Sequence, residues 1–186
     1  MPDSGDSRNS GVPGVDRLVL EVMRDTGDWD TFEPVEAHVE AARRALLAHK
    51  RFLELAPSEA CVALSNDAVV RGLNATYRDK DKPTNVLSFP AAPARGAAPG
   101  ASRSLGDVVL AVETVLREAK EQDIPPAHHF QHLVVHGLLH LLGFDHETDL
   151  QAHEMECLEI EILESIGISN PYAEIADLPV RAGQDQ

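Results

Sequence analysis

His136-Gly-Leu-Leu-His140-Leu-Leu-Gly143-Phe-Asp-His146 is the stretch on which the reading of this chain turns. His136 and His140 lie one helical turn apart and so project from the same face. Two imidazole nitrogens at that spacing can converge on one small cation. Gly143 falls just past the expected helix end, where a left-handed residue stops the helix and redirects the chain. The turn can then bring His146 back as a third ligand. Three neutral imidazoles leave a fourth position open, which a catalytic zinc site requires and a structural one avoids. At about 100° per residue, His132, His136 and His140 fall in a strip about 80° wide. Val134, Leu138, Leu141 and Leu142 cover the opposite side. His132 reads as a supporting or groove side chain, and His128, His129 and His153 as ordinary packing or surface histidines.

Working outward, the histidine helix is expected over 127–142, after a break at Pro125 and Pro126 and before Gly143. Ahead of it, 106–111 (GDVVLA) is the clearest strand, and 113–122 should be helical. Further back come a strand over 85–89 stopped by Pro90, a helix capped by Asn66 and Asp67 that ends near Tyr77, and a strand over 61–65. The first elements are a strand over 17–23 and an Ala-rich helix over 35–52 opened by Pro34. Residues 91–104 are Ala, Pro, Gly, Ser and two Arg, a surface loop by composition. Thr148 or Asp149 opens a last helix reaching about Ile166. Four strands and about five helices imply a single α+β domain with a mixed sheet. Its expected limits are 15–172, after a disordered leader over 1–14 and before a polar tail over 173–186.

The chain has 186 residues, 43% hydrophobic and 25% charged, so a sizeable core can be buried and wholesale disorder is excluded. Aromatics are only 4%, which makes that core mostly aliphatic. Cys61 and Cys157 form no CxxC pair, excluding a disulfide framework and a cysteine-rich metal site. The polar start of the chain has no apolar signal segment, and the expected location is cytoplasmic. From Ile124 to Phe144, 21 residues pass without Asp, Glu, Lys or Arg, but five of them are histidines, which rules out a lipid-facing span. The net charge of −15 repels polyanions on average. An enzyme of nucleic acid with this balance needs a positive cleft on a negative body. Arg78, Lys80 and Lys82 form such a cationic strip, interleaved with Asp79 and Asp81. Residues 147–164 hold seven acids and no Lys or Arg, expected as an amphipathic helix with a solvated acidic face. Of the acids beside His146, Asp145 ranks ahead of Glu147 for orienting an imidazole N–H.

The histidine spacing is similar to that of the metzincin zinc proteases, H-E-x-x-H-x-x-G-x-x-H, but Gly137 stands where those enzymes carry their general-base Glu. Without that carboxylate peptide hydrolysis loses its usual proton acceptor. RNA cleavage does not, because the 2′-hydroxyl is a built-in nucleophile. HGLLHLLGFDH, with LNATYRDKDKPTNVLSFP and LGDVVLA, resembles the YbeY-type bacterial rRNA maturation factors, metal-dependent single-strand endoribonucleases. The resemblance runs over about 15–172 and includes HEMECLEIEILESIG and the terminal NPY. It implies one zinc ion on His136, His140 and His146, Arg78 as the catalytic or RNA-positioning arginine, and single-stranded rRNA as substrate. It further implies 16S rRNA 3′-end processing, ribosome quality control, and the ribosome or its proteins as partners, with neither membrane nor DNA. Asp79 departs from the family pattern, where a small residue such as Gly is expected. The competing readings are a metzincin-like metalloprotease and a non-enzymatic, metal-stabilised ribosome-assembly adaptor.

Overall fold

Four short strands and five helices account for residues 17–92 and 101–173, which this computed structural model describes. The first strand, β1 (Leu18–Arg24), buries Leu18 and half-buries Leu20 and Val22, while Val19 and Met23 face the other way. This is the two-residue period of a strand packed on one side. Helix α1 (Val35–Ala48) follows with Val35, Val39, Ala42 and Leu46 buried at three- and four-residue spacing. It stops at Ala48, short of the expected Phe52. His49 leaves the helical conformation, and Lys50–Phe52 forms a single tighter turn capped by the His49 ring. Strand β2 (Ser58–Ser65) runs parallel to β1, with Leu18 opposite Ser58. Its start precedes Cys61 because the pairing with β1 extends to Ser58.

Helix α2 (Asp67–Arg78) is capped by the Asn66 side chain, which accepts from the Val69 N–H. Strand β3 (Val86–Pro90) then pairs antiparallel with β4 (Arg103–Ala111), and β4 lies parallel to β2. The sheet order is therefore β1-β2-β4-β3, a mixed sheet as expected. Arg103 and Ser104 belong to β4 and not to a surface loop, because the edge of the low-complexity stretch pairs with Ser58 and Glu59 of β2. Residues 93–100, the leader over 1–14 and all but the first residue of the tail over 173–186 lie outside the described residues.

Helices α3 (Val112–Glu121), α4 (Pro126–Leu141) and α5 (Asp149–Glu164) complete the chain. Thr148 and Gln151 cap α5 reciprocally. The main core lies between one face of the sheet and α1 and α4, with α5 outside them. It is aliphatic apart from Phe52 and the mutually packed rings of Trp29, Phe32 and Phe130. Helix α2 covers the opposite face over β3 and β4 through Val70, Leu87, Val109 and Ala111.

One contact sets the height of α4 above the sheet. A Cβ on Gly137 would stand 2.5 and 2.9 Å from the two Val108 methyls and 3.3 Å from Ser88 Oγ, so only hydrogen fits there. Ser88 Oγ also donates to the Gly137 carbonyl at 3.3 Å. The glycine is thus what lets the helix rest on β3 and β4. Its neighbours His136 and His140 are carried at the β3 edge. Among the described residues, no helix is long and apolar enough to cross a membrane.

Candidate metal centre and its cleft

Helix α4 ends as its sequence dictates. Gly143 takes φ +93°, the Phe144 N–H reaches back to the Leu139 carbonyl at 3.0 Å, and the Gly143 N–H reaches that of His140 at 3.0 Å. This paired closure satisfies carbonyls that the last turn would leave open. Phe144 folds under, edge-on to Phe52 at 6.0 Å with Arg51 above its ring. The chain is then aimed back toward the helix, and His146 returns beside His136 and His140. His136 Nε2 and His140 Nε2 stand 3.1 Å apart, and one ring nitrogen from each of the three histidines lies within 4.8 Å of the others.

The tautomers follow from the far side of each ring. His136 Nδ1 donates to Glu159 Oε1 at 2.8 Å, and His140 Nδ1 donates to the Phe144 carbonyl at 3.0 Å. The two Nε2 atoms therefore face each other at 3.1 Å, a spacing at which they can share a proton or, as neutral rings, direct both lone pairs at one cation. Burial, followed by the charge that protonated His136 and His146 would carry, pushes His140 below the usual imidazole range. The ring thus stays neutral and available as a ligand. Three converging imidazole nitrogens, two of them on rings held from behind by Glu159 and the Phe144 carbonyl, fit a divalent transition metal, zinc among them.

Glu159 anchors this arrangement. It is 1% exposed and accepts from His132 Nε2 and His136 Nδ1, each at 2.8 Å, and from the Tyr172 hydroxyl. Burial alone would raise its carboxyl, but the bonds from His132 and His136 outweigh burial and hold it at about 2. Tyr172 is pushed the other way, above the ordinary phenol range, by burial and the neighbouring Glu159 charge.

The three histidines open into a cleft of about 740 Å³. Among the described residues, Arg78, Lys80, Lys82 and Arg103 line it, against a single acid, Asp145. Arg78 is the last residue of α2, and its Nη2 donates to the Ser88 carbonyl at 3.4 Å. It forms no ion pair among the described residues. Asp79 takes the left-handed conformation, φ 56°, which explains why a glycine suits that position. Asn74 then pins the loop by donating to the Lys82 carbonyl at 2.8 Å. Arg71 binds Asp81 through two bonds of 2.7 and 2.8 Å. That pairing neutralises Asp81 and leaves the lysines as the net charge of the strip.

Residues 28–167 match the family described as Endoribonuclease YbeY. The chain belongs to that family. Similar relatives bearing the same description come from Parvibaculum lavamentivorans, 49% identical over 89% of this chain and 89% of that protein, and Azorhizobium caulinodans, 48% identical over 84% of this chain and 97% of that protein. The solution structure of TM1509 from Thermotoga maritima is similar in fold, with a TM-score of 0.50 at 20% identity over 90% of this chain and all of the other.

Against the sequence-based expectations, His136, His140 and His146 do come together, and Arg78, Lys80 and Lys82 share their cleft. Two expectations need correction. Glu159 does not lie on a solvated acidic face. It sits four residues after Met155 and three before Ile162, within the apolar stripe of α5, and that placement was the signal available. Asp145 does not orient an imidazole: its Oδ1 is 4.0 Å from His140 Nδ1, which the Phe144 carbonyl takes instead, and it accepts from the His146 N–H. Of the remaining histidines, His129 is a packing one, as that reading allows, 4% exposed with Nε2 on Glu118 at 2.9 Å. The protease reading loses its footing at Gly137. That position faces Val108 and Ser88, so no carboxylate can be held there without lifting α4.

Proposed function

We propose that this chain is a metal-dependent, single-strand endoribonuclease of rRNA maturation, acting at the 16S rRNA 3′ end and in ribosome quality control in the cytoplasm. The catalytic unit is the domain over 15–172. Its partners are single-stranded rRNA and the ribosome or its proteins. The observation that carries this reading is the convergence of three imidazoles on the floor of a cleft whose other charges, among the described residues, are almost all cationic. The name borne by the family and its relatives agrees with it.

His136, His140 and His146 would hold the ion, preferably zinc. A bound ion of that kind supplies Lewis acidity and lowers the pKa of water toward neutrality. Glu159 and the Phe144 carbonyl keep His136 and His140 in the tautomer that presents Nε2. Arg78 donates two parallel N–H bonds to a phosphate and stays charged at any physiological pH, stabilising charge that develops during cleavage. Lys80, Lys82 and Arg103 draw the backbone into the cleft, against the −15 of the whole chain. Few phosphate contacts are available, so intrinsic affinity is weak and salt-sensitive, and protein partners deliver the substrate.

Purified protein should cut a single-stranded RNA, lose the activity with chelator and regain it with zinc. Arg78→Ala should retain the metal and lose cleavage. Full cleavage by that variant, or by metal-free protein, would refute the reading.

A further inference from the structure

On the other side of His136 lies a second cavity, of about 690 Å³, walled by α3, α4 and the segment ending at Ala173. It meets the metal cleft at Asn85, Val86 and His136, which line both. The two differ sharply in charge. Among the described residues, four cations line the metal cleft, whereas neither Lys nor Arg lines the second cavity, whose one acid is Glu118. Much of its wall is apolar, from Val86, Ile124, Leu133, Ile168 and Pro171. Such a chamber rejects phosphate and accepts a flat, partly apolar ring with a polar edge.

Glu118 defines that edge. Its Oε2 accepts from Asn85 Nδ2 at 2.8 Å and His129 Nε2 at 2.9 Å, while Oε1 takes no hydrogen bond from any described residue. Those two bonds keep the carboxylate ionised despite its partial burial. The Nδ1 of His129 is itself buried and has no hydrogen-bond partner among the described residues. The chamber wall thus carries a carboxylate oxygen, Glu118 Oε1, that no described residue engages.

We infer that this chamber is a base-specificity subsite: it receives the nucleobase next to the scissile phosphate and prefers guanine, whose N1–H and N2 amino group donate side by side. Uracil, whose N3–H is flanked by two carbonyls, is the least suited. Single-stranded RNA can supply such a base because its Watson–Crick edge is free to be read. The inference rests on the endoribonuclease reading and adds where and how the substrate's sequence is sensed.

The test is to cleave a random-sequence single-stranded RNA pool with the full chain and sequence the ends. The wild type should enrich guanine over uracil at one position beside the cut by about tenfold or more, the value of a hydrogen bond to a charged acceptor. Glu118→Gln should bring that ratio below about twofold. Ser169→Trp, which fills the chamber from its exposed rim, should do the same and decides the matter if Glu118→Gln folds poorly. The ratio is internal to each reaction, so a merely structural loss of activity leaves it unchanged. Cleavage by the wild type with no base preference overturns the subsite and leaves the enzyme reading intact, as does an unaltered ratio in both variants. Absence of any product would instead remove the enzyme reading, and the subsite with it.

Discussion

Among the described residues two glycines lie within helices, and alanine should shift stability in opposite directions at the two. On α2, Gly72 is exposed and a Cβ there meets nothing within 4 Å, so Gly72→Ala gains only helix propensity, about 1 kcal/mol of stabilisation. At Gly137 the same methyl arrives 2.5 Å from Val108 Cγ1, against an ordinary carbon–carbon contact of about 3.5–4.0 Å. Val108 cannot swing aside: it is fully buried, β-branched, and flanked by Val62 and Ser88 in the middle of the sheet. The helix must therefore lift by about 1 Å, at an overpacking cost of about 1–3 kcal/mol that exceeds the propensity gain. Gly137→Ala should destabilise by up to about 2 kcal/mol in urea unfolding. Val108→Ala alone should cost about 2 kcal/mol, yet cost about 1–2 kcal/mol less in the Gly137→Ala background, because the smaller side chain makes room for the methyl. Stabilisation by Gly137→Ala equal to that of Gly72→Ala, or strict additivity with Val108→Ala, would refute the close-approach argument.

Three further outcomes are expected. Glu159→Gln should weaken zinc binding by about 10–100-fold in competition with a chromogenic chelator at pH 7, because His136 loses the carboxylate that fixes its tautomer; unchanged affinity would remove Glu159 from the centre. Asp79→Gly should stabilise by up to about 1 kcal/mol, as it relieves a left-handed backbone, and should tighten single-stranded RNA binding by removing an acid beside Arg78; weaker binding on filter retention would count against the cationic strip. Glu40 on α1 is held at about 2 by hydrogen bonds from Arg43, with burial opposing and Arg44 adding. Its lowered carboxyl stabilises the fold above the ordinary value of 4.5, and that contribution is lost as pH falls toward 2. Glu40→Gln should flatten acid unfolding between those limits, and an unchanged profile would show the pair to be energetically silent.

The parts of the site that the sequence made legible are those governed by short periods. His136 and His140 are fixed by one helical turn, and Gly143 by the turn chemistry that a helix end requires, so three candidate ligands could be named without a fold. Gly137 was legible as an anomaly but not for its physical reason. Its significance lies in Val108, 29 residues earlier in the chain, and only the pairing of α4 with β4 reveals that contact. Glu159 was hidden in an acidic run whose other members, the half-buried Glu156 aside, face solvent, although its spacing from Met155 and Ile162 marked it as an acid in an apolar stripe. Arg103 carried no local sign at all. It enters the cleft because β4 extends backward along β2 into a stretch whose composition reads as loop. The Phe144 carbonyl outcompetes Asp145 for His140 because the helix-ending turn delivers it to Nδ1 regardless of side chain.

The claim that three imidazoles surround one ion is tested most directly by X-ray absorption on protein loaded with one equivalent of zinc. The account predicts a first shell of three imidazole nitrogens at about 2.0–2.1 Å with one further light atom from solvent, and loss of one nitrogen in His146→Ala. A shell containing sulfur, a fourth protein nitrogen, or a spectrum that His146→Ala leaves unchanged would contradict it.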